Sequence, residues 1–284
     1  MSKVYEKDYD YEVAANKYHL IVARSCPFAQ RTDIARSLLG LEDAISKSVV
    51  DPIKTEKIWE FKRYEGAKDP VLGVEYVSDV YHNTNPAYDG PYSVPVLADI
   101  ETGQVVNQES LDIVKDFVTR FQALHTGDAP NLYNEDDREA IDAWVVRISS
   151  DIMSAPYKAH GAEDQATYDE QVDIFFTALA DIDKALSQHD YLVGNQLTLA
   201  DIVLYTPLLR FDTVFYPAFQ VNQYRLEDFP NLWAYLKKLY HIPAFNQSTD
   251  WDEIKEGTYL GKNGRNHFGK EILPAGPQLD QWED

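Results

Sequence analysis

The pattern of hydrophobic and polar positions divides the chain into two halves of different character. In the first half, short apolar runs with β-branched residues alternate with amphipathic stretches. The predicted elements, in chain order, are a strand at 18–23, a helix at 29–39, strands at 45–50, 93–98 and 104–106, and a helix at 110–124. This β-α-β, then β-β-α order predicts a thioredoxin-like α/β domain over residues 1–127, with a long insert at 52–90.

The second half carries helical periodicity only. Helices are predicted at 135–152, 168–186, 198–209 and 231–240, and Thr198 with Asp201 forms a capping pair at the start of the third. Roughly the last 35 residues are expected to be loop-rich and to wrap back over the core. The predicted fold class is therefore α/β plus all-α, with a helical domain over 128–284 that ends in a wrapping tail.

Charge and cysteine content narrow the function further. The 284 residues carry 47 acidic and 26 basic side chains, a net charge of −21, which argues against binding to nucleic acid or to an anionic membrane surface. A single cysteine excludes an internal disulfide bond, and no apolar segment is long enough to span a membrane, so a cytoplasmic protein is expected. The seven histidines are scattered without ligand spacing, so no metal site is expected.

Cys26 is the candidate for chemistry. It follows a predicted strand and directly precedes Pro27, which starts a helix, and a helix N-terminus favours a thiolate over a thiol. Arg24 and Arg31 are expected to add positive charge. Ala29 stands where a dithiol motif has its second cysteine, so release of a substrate would need an external thiol. A buried structural cysteine is the alternative, but the strand–Cys–Pro–helix context favours a reactive thiol.

Two further pairs of residues lie where strands and helices meet. Val94–Pro95 lies at the head of the strand predicted at 93–98, as either a substrate-pairing element or a plain edge-strand proline. Glu109–Ser110 begins a helix, where the hydroxyl and backbone amides can hold a carboxylate and Glu109 can accept from an ammonium. Simple N-capping is the alternative for this second pair.

The same residues are similar to the Xi class of glutathione transferases, the glutathionyl-hydroquinone reductases, and the resemblance extends over nearly the whole chain. The family pattern Cys-Pro-Trp-Ala-His-Arg-Thr appears as Cys26–Pro27–Phe28–Ala29–Gln30–Arg31–Thr32. The other segments that carry the resemblance are 40–43, 48–50, 94–97, 106–110, 157–159, 230–233 and 239–243.

This resemblance implies a thioredoxin-like domain, a helical domain, and a homodimer. It also implies a reaction in which the Cys26 thiolate attacks the sulfur of a glutathionyl-hydroquinone, and a second glutathione resolves the resulting mixed disulfide. Glutathione is then a cosubstrate. The implied site residues are Phe28, Trp59, Val94, Pro95, Glu109 and Ser110 for glutathione and Tyr157 and Tyr259 for the aromatic quinol.

Three positions depart from the family pattern. Phe28 replaces a tryptophan, Gln30 replaces a histidine, and Pro91 stands where family members carry an arginine. The missing arginine predicts a weaker hold on the carboxylate of glutathione, or use of a different low-molecular-weight thiol. Two other functions stay open: a glutaredoxin-like thiol transferase acting on mixed disulfides, and a non-catalytic binding module with the same fold.

Overall fold

A four-stranded mixed sheet lies at the centre of the first half of the chain. The computed structural model describes residues 11–55, 58–260, 264 and 271–283. The strands are β1 (Tyr18–Val22), β2 (Ile45–Val49), β3 (Val96–Asp99) and β4 (Val105–Asn107), in the spatial order β2-β1-β3-β4. β1 pairs in parallel with β2 and antiparallel with β3, and β3 pairs antiparallel with β4. The predicted thioredoxin-like arrangement is confirmed.

The helices, in chain order, are α1 (Pro27–Leu38), α2 (Val77–Thr84), α3 (Ser110–Thr119), α4 (Arg138–Arg147), α5 (Ala155–His160), α6 (Gln165–Leu186), α7 (Leu199–Leu208), α8 (Pro230–Tyr240), α9 (Pro243–Gln247), α10 (Trp251–Tyr259) and α11 (Asp280–Glu283). Each of the six predicted helices is present, with shifted ends. The predicted helix at 135–152 is α4 followed by a π-helical turn, Ile148–Ser154, that leads into α5.

Two compact units make up the chain, and the first is assembled from both ends of the sequence. It comprises Met1–Ala129 with Ser248–Leu273, whereas Pro130–Gln247 with Pro274–Asp284 forms the second. The segment 248–273, which the sequence pattern left with the helical half, thus belongs to the first unit. The stretch expected to be loop-rich contains helix α10.

Polar contacts attach this late segment to the first unit. Gln30, on α1, donates from Nε2 to the Thr249 hydroxyl at 3.1 Å and to the Ser248 carbonyl at 3.3 Å. The Arg24 guanidinium lies 3.2 Å from the Asp250 carboxylate, and Arg63 lies 2.9 Å from that of Glu253. Gln30, which stands where the family pattern has a histidine, therefore has structural partners in the two residues Ser248 and Thr249, just before α10.

The insert at 52–90 is held against the sheet by a buried polar cluster. The imidazole of His19, on β1, contacts the Ser48 hydroxyl at 2.8 Å and the Asp69 carboxylate at 3.1 Å, and both His19 and Asp69 are buried. The same carboxylate accepts from the backbone N–H of Leu72 at 2.6 Å. Although burial raises the pKa of Asp69, these hydrogen bonds bring it below its ordinary value.

Helix α7 forms the centre of the second unit, and every one of its residues is buried. The predicted pair, Thr198 and Asp201, caps its N-terminus. The Asp201 carboxylate accepts from the Thr198 backbone N–H at 2.7 Å and from the Tyr235 hydroxyl at 2.5 Å. A third bond comes from the Leu192 N–H at 3.0 Å. One fully buried carboxylate thus joins α7, α8 and the loop before α7.

Candidate functional site

Cys26 is the N-cap of α1, at the end of the short turn that follows β1, with extended backbone (φ −94°, ψ 118°). Pro27 occupies the first helical position, where no backbone N–H is needed. Among the described residues the Cys26 side chain makes no capping hydrogen bond, so the amides of the first helical turn face its sulfur without a side-chain acceptor. The thiol is half-buried and donates to the Val94 carbonyl oxygen at a distance of 3.6 Å from Sγ.

Sheet register brings three of the predicted features to one edge. Ile21 on β1 pairs with Val96 on β3, and Leu97 pairs with Asn107 on β4. The carboxyl end of β1, the amino end of β3 and the carboxyl end of β4 therefore lie side by side. Cys26, the Val94–Pro95 pair and the Glu109–Ser110 pair follow or precede those strand ends. The sequence predicts each of these three features beside the end of a strand, and the sheet brings those strand ends together.

The Val94–Pro95 element is fixed by tyrosines. The peptide bond between Val94 and Pro95 is cis. Just before it, the Ser93 carbonyl accepts from the Tyr81 hydroxyl at 2.9 Å, and the Pro91 carbonyl accepts from the Tyr88 hydroxyl at 3.1 Å. Helix α2, which the sequence pattern did not predict, supplies Tyr81 and so holds the backbone beside Cys26.

The two arginines expected to act on Cys26 have different environments. Arg24 is in ion pairs with Asp250 and Glu253, so carboxylates compensate its charge. Arg31 is buried on α1, and within the described part of the chain its Nε has no hydrogen-bond partner and its guanidinium pairs with no carboxylate. It lies 4.9 Å from the centre of the Phe28 ring. Burial lowers the pKa of Arg31 to about 10, and the Cys26 thiolate opposes that change.

At the start of α3, Glu109 is the N-cap and is half-exposed, while Ser110 is buried. The Glu109 backbone N–H donates to the Asn107 side-chain oxygen at 2.9 Å. The Glu109 side chain makes no capping bond among the described residues, so a ligand ammonium can meet this carboxylate. The helix start and the Ser110 hydroxyl offer donors to an anionic group.

The insert contributes Trp59, which is half-buried, and a residue that the sequence pattern did not single out, Lys54. The Lys54 ammonium lies 5.5 Å from the centre of the Trp59 ring and donates to the Tyr92 carbonyl at 3.2 Å. No periodicity or motif marks this lysine. Its position depends on how the insert folds, which a single sequence does not reveal.

Tyr259 is the last residue of α10 and lies in the same unit as Cys26. Helix α10 contacts the segment before Cys26 closely: a Cβ on Gly257 would lie 2.5 Å from the Ser25 Cβ and 2.7 Å from the Pro52 carbonyl. Burial raises the pKa of the Tyr259 phenol to about 12, so this hydroxyl keeps its proton at neutral pH.

Tyr157 lies in the second unit, on α5, with 38% of its surface exposed. Its ring packs edge-on against Phe219, with ring centres 5.0 Å apart, and against Phe215 at 5.9 Å. Tyr157 therefore belongs to an aromatic cluster of the helical unit.

No group of three or more histidine, cysteine or acidic side chains suited to a metal ion occurs in the described ranges, and His267 lies outside them. In the same ranges, no helix is long and apolar enough to cross a membrane.

Comparison with known proteins identifies the relatives of this chain. The protein-family model of the glutathione S-transferase N-terminal domain matches residues 25–119 of this sequence. The family model of the C-terminal domain matches residues 165–238. The glutathionyl-hydroquinone reductase YqjG of Escherichia coli is 37% identical over 275 residues, which is 95% of this chain and 80% of that protein.

Solved structures agree with this result. A glutathione transferase from Gordonia bronchialis superposes with a TM-score of 0.92 at 38% identity, covering 96% of this chain and 84% of that one. A Xi-class enzyme from Natrialba magadii gives 0.89 at 38% identity, covering 97% and 84%. The glutathione-bound structure of YqjG gives 0.85 at 36% identity, covering 95% and 87%.

Proposed function

This chain belongs to the Xi class of glutathione transferases, the glutathionyl-hydroquinone reductase family, and we propose that it reduces S-glutathionyl-hydroquinones through a mixed disulfide on Cys26. The observation that carries the proposal is the placement of the chain's one thiol at the open start of α1, 3.6 Å from the Val94 carbonyl. Glutathione is the cosubstrate, and the reaction needs no second cysteine.

In the first step, the Cys26 thiolate attacks the sulfur of the conjugate. A sulfur–sulfur bond forms, the bond between sulfur and the aromatic carbon breaks, and its electron pair goes to that carbon, which takes up a proton. The hydroquinone leaves. The helix start and the Arg31 guanidinium favour the anionic nucleophile. The Tyr157 and Tyr259 hydroxyls are assigned to the aromatic substrate, Tyr259 in its protonated form.

In the second step, a glutathione thiolate attacks the glutathione sulfur of the mixed disulfide, and Cys26 leaves as a thiolate. The products are oxidised glutathione and the free enzyme. The peptide lies along the Val94 backbone, with its γ-glutamyl end at Glu109 and Ser110. Phe28, Trp59 and Pro95 complete the assigned glutathione site.

The proposal extends to the setting of the reaction. The protein acts as a cytoplasmic homodimer; the family resemblance supports the dimer, and a single cysteine without a disulfide partner fits a reducing compartment. Residues 1–127 serve as the glutathione-binding domain, and residues 128–284, apart from the segment 248–273 that belongs to the first unit, serve as the substrate domain. A sedimentation experiment checks the assembly.

The test is turnover of a purified glutathionyl-hydroquinone with glutathione, followed by chromatography of the released hydroquinone. We expect one oxidised glutathione per hydroquinone, and a glutathione adduct on Cys26 in the intact-protein mass spectrum. Cys26→Ala should abolish both. Equal activity in Cys26→Ala and the wild type would refute the mechanism. Preference for a glutathionylated protein in a competition assay would favour the glutaredoxin-like function.

A further inference from the structure

The second unit contains a cavity of about 600 Å³, and none of the residues that line it is assigned to the reaction proposed above. One wall is helix α6, and the other is the segment 223–229. The α6 residues of the lining are Asp173, Phe176, Thr177 and Ala180, whose spacing places them on one face of the helix. This α6 cavity has the volume of a small-molecule binding site.

Three aromatic rings form part of the lining. The rings of Phe176 and Phe229 are nearly parallel, with an angle of 11° between them and centres 6.4 Å apart. The Tyr224 ring is nearly perpendicular to both, at 76° to Phe176 and 79° to Phe229, with centre distances of 5.3 and 6.1 Å. Although it packs on two rings, Tyr224 stays 46% exposed, so part of this aromatic surface is open to a ligand. Groups of rings with different orientations bind organic ammonium ions, because a cation is attracted to the ring faces.

The charged groups of the α6 cavity are carboxylates. Asp173 is exposed, and among the residues that the structure describes its side chain has no hydrogen bond or ion pair. Asp228 accepts the Arg225 backbone N–H on one carboxylate oxygen, at 2.8 Å, which leaves its other oxygen for a ligand. None of the described lining residues is a lysine, an arginine or a histidine. The cavity thus combines aromatic rings with negative charge.

Neighbouring arginines do not compensate this charge. Arg225 directly follows Tyr224, but its guanidinium carbon lies 3.7 Å from the centre of the Tyr216 ring, and Arg225 is not part of the lining. Farther along α6, in contrast, the Asp181 carboxylate forms an ion pair with Arg147. The carboxylates of the α6 cavity therefore remain available to a cation from outside the protein.

We propose that the α6 cavity binds a small organic ammonium ion, with the cation against the Tyr224 and Phe229 rings and with Asp173 and Asp228 as its counter-ions. Ring faces and carboxylates both attract positive charge, and both repel an anion. A second copy of this chain is a poor occupant, because a symmetric contact centred here would bring the carboxylates of both copies together. The proposal goes beyond the function at Cys26, since it concerns a second ligand and residues of the second unit alone.

The test is a calorimetric titration of the whole chain with choline chloride and, separately, with 3,3-dimethylbutanol, which has the same shape without the charge. Sodium chloride keeps the ionic strength equal in the two titrations. We expect saturable binding of a single choline per chain, and an affinity for the alcohol at least about tenfold lower, because the alcohol makes no cation–π contact. Cys26→Ala should bind choline as the wild type does, so failure of this site and failure of the proposed reaction are separate results.

Variants of the lining then locate the site. Tyr224→Leu keeps an apolar side chain but removes the π face, so the affinity for choline should fall about tenfold. Asp173→Asn should lower it about threefold, the effect of losing an exposed ion pair. The matched control is Glu170→Gln, which removes the same charge from an exposed position of α6 outside the cavity and should bind as the wild type does. Because Asp173 is exposed, Asp173→Asn keeps the test decisive even if the tyrosine variant does not fold.

Four results would overturn the proposal. One is the absence of saturable choline binding, and another is equal affinity for choline and for the alcohol, which would mean a purely apolar cleft. Equal losses in Asp173→Asn and Glu170→Gln would mean that choline follows the net charge of −21 and not this cavity. Binding of a tetralysine peptide without binding of choline would mean that this face serves a protein partner.

Discussion

Helices α1 and α7 differ in how the backbone N–H groups at their N-termini are capped. Each leaves backbone N–H groups of its first turn without partners in the helix. At α7, Thr198 and Asp201 form a capping box, and the buried Asp201 carboxylate also accepts from Tyr235 and Leu192. At α1, the N-cap is Cys26, whose side chain makes no capping bond among the described residues.

The contrast separates a helix start that serves stability from one that serves chemistry. A filled cap fixes the helix and leaves no donor for a ligand. A helix without a side-chain cap lacks part of that stability, and the amides of its first turn and its dipole then stabilise negative charge on the sulfur. Arg31 extends the same arrangement, since a buried guanidinium without a carboxylate partner is unfavourable for folding unless a negative charge forms near it.

Cys26→Ser gives the largest expected effect, because it fills the open cap while removing the nucleophile. Hydroquinone release should fall by at least about a thousandfold. The serine hydroxyl should accept from the first helical turn and raise stability by about 1 kcal/mol, near 3 °C in Tm. Activity assays and thermal unfolding measure the two effects, with Cys26→Ala as the uncapped control. A serine variant no more stable than the alanine variant would contradict the contrast.

Asp201→Ala should produce the opposite result. It removes the acceptor of several buried hydrogen bonds, so we expect a loss of about 3 kcal/mol in the free energy of unfolding. Denaturant titration measures it. At a temperature where the variant is folded, its activity should stay within about threefold of the wild type, because the hydrogen bonds of Asp201 join elements of the second unit and the proposed reaction assigns it no step. A large loss of activity in the folded variant would show that α7 is not purely structural.

Arg31→Gln tests the charge behind the open helix start. Without the guanidinium, the thiolate is less favoured, and alkylation of Cys26 by iodoacetamide at pH 7 should slow about fivefold. The reaction is followed by mass spectrometry in buffer of low ionic strength. Arg31→Lys keeps the charge and serves as the comparison. If both variants react like the wild type, the helix start alone accounts for the reactivity.

Thr198→Ala has the smallest expected effect. Thr198 contributes one part of the capping box, and its loss should cost about 1 kcal/mol while Asp201 keeps its remaining partners. Unfolding in urea measures the change. In the double variant with Asp201→Ala, the two losses should not add, because the residues share one hydrogen-bond network. Full additivity would mean that they cap α7 independently.

The sequence predicts helices and strands better than it predicts which distant residues come into contact. β1, β2 and α6 follow from apolar periodicity, and the cap of α7 follows from a local motif, because these signals lie within a few residues. Helices α2 and α10 were not predicted, since polar and aromatic residues obscure their periodicity. Cys26 follows from its local context. The position of Lys54 beside Trp59 depends on the fold of the insert, so no local pattern contains it.

The discontinuous first unit has a consequence for how the protein is made. Its sheet and α1 are synthesised early, yet α10, which contacts the Ser25 segment through Gly257, is encoded more than a hundred residues later. During translation, the region around Cys26 is therefore unfinished until the whole helical unit has emerged from the ribosome. The active thiol would be assembled last, and this long-range closure should be slow relative to the local helices. A nascent chain arrested before residue 248 would expose Cys26 without its α10 neighbour.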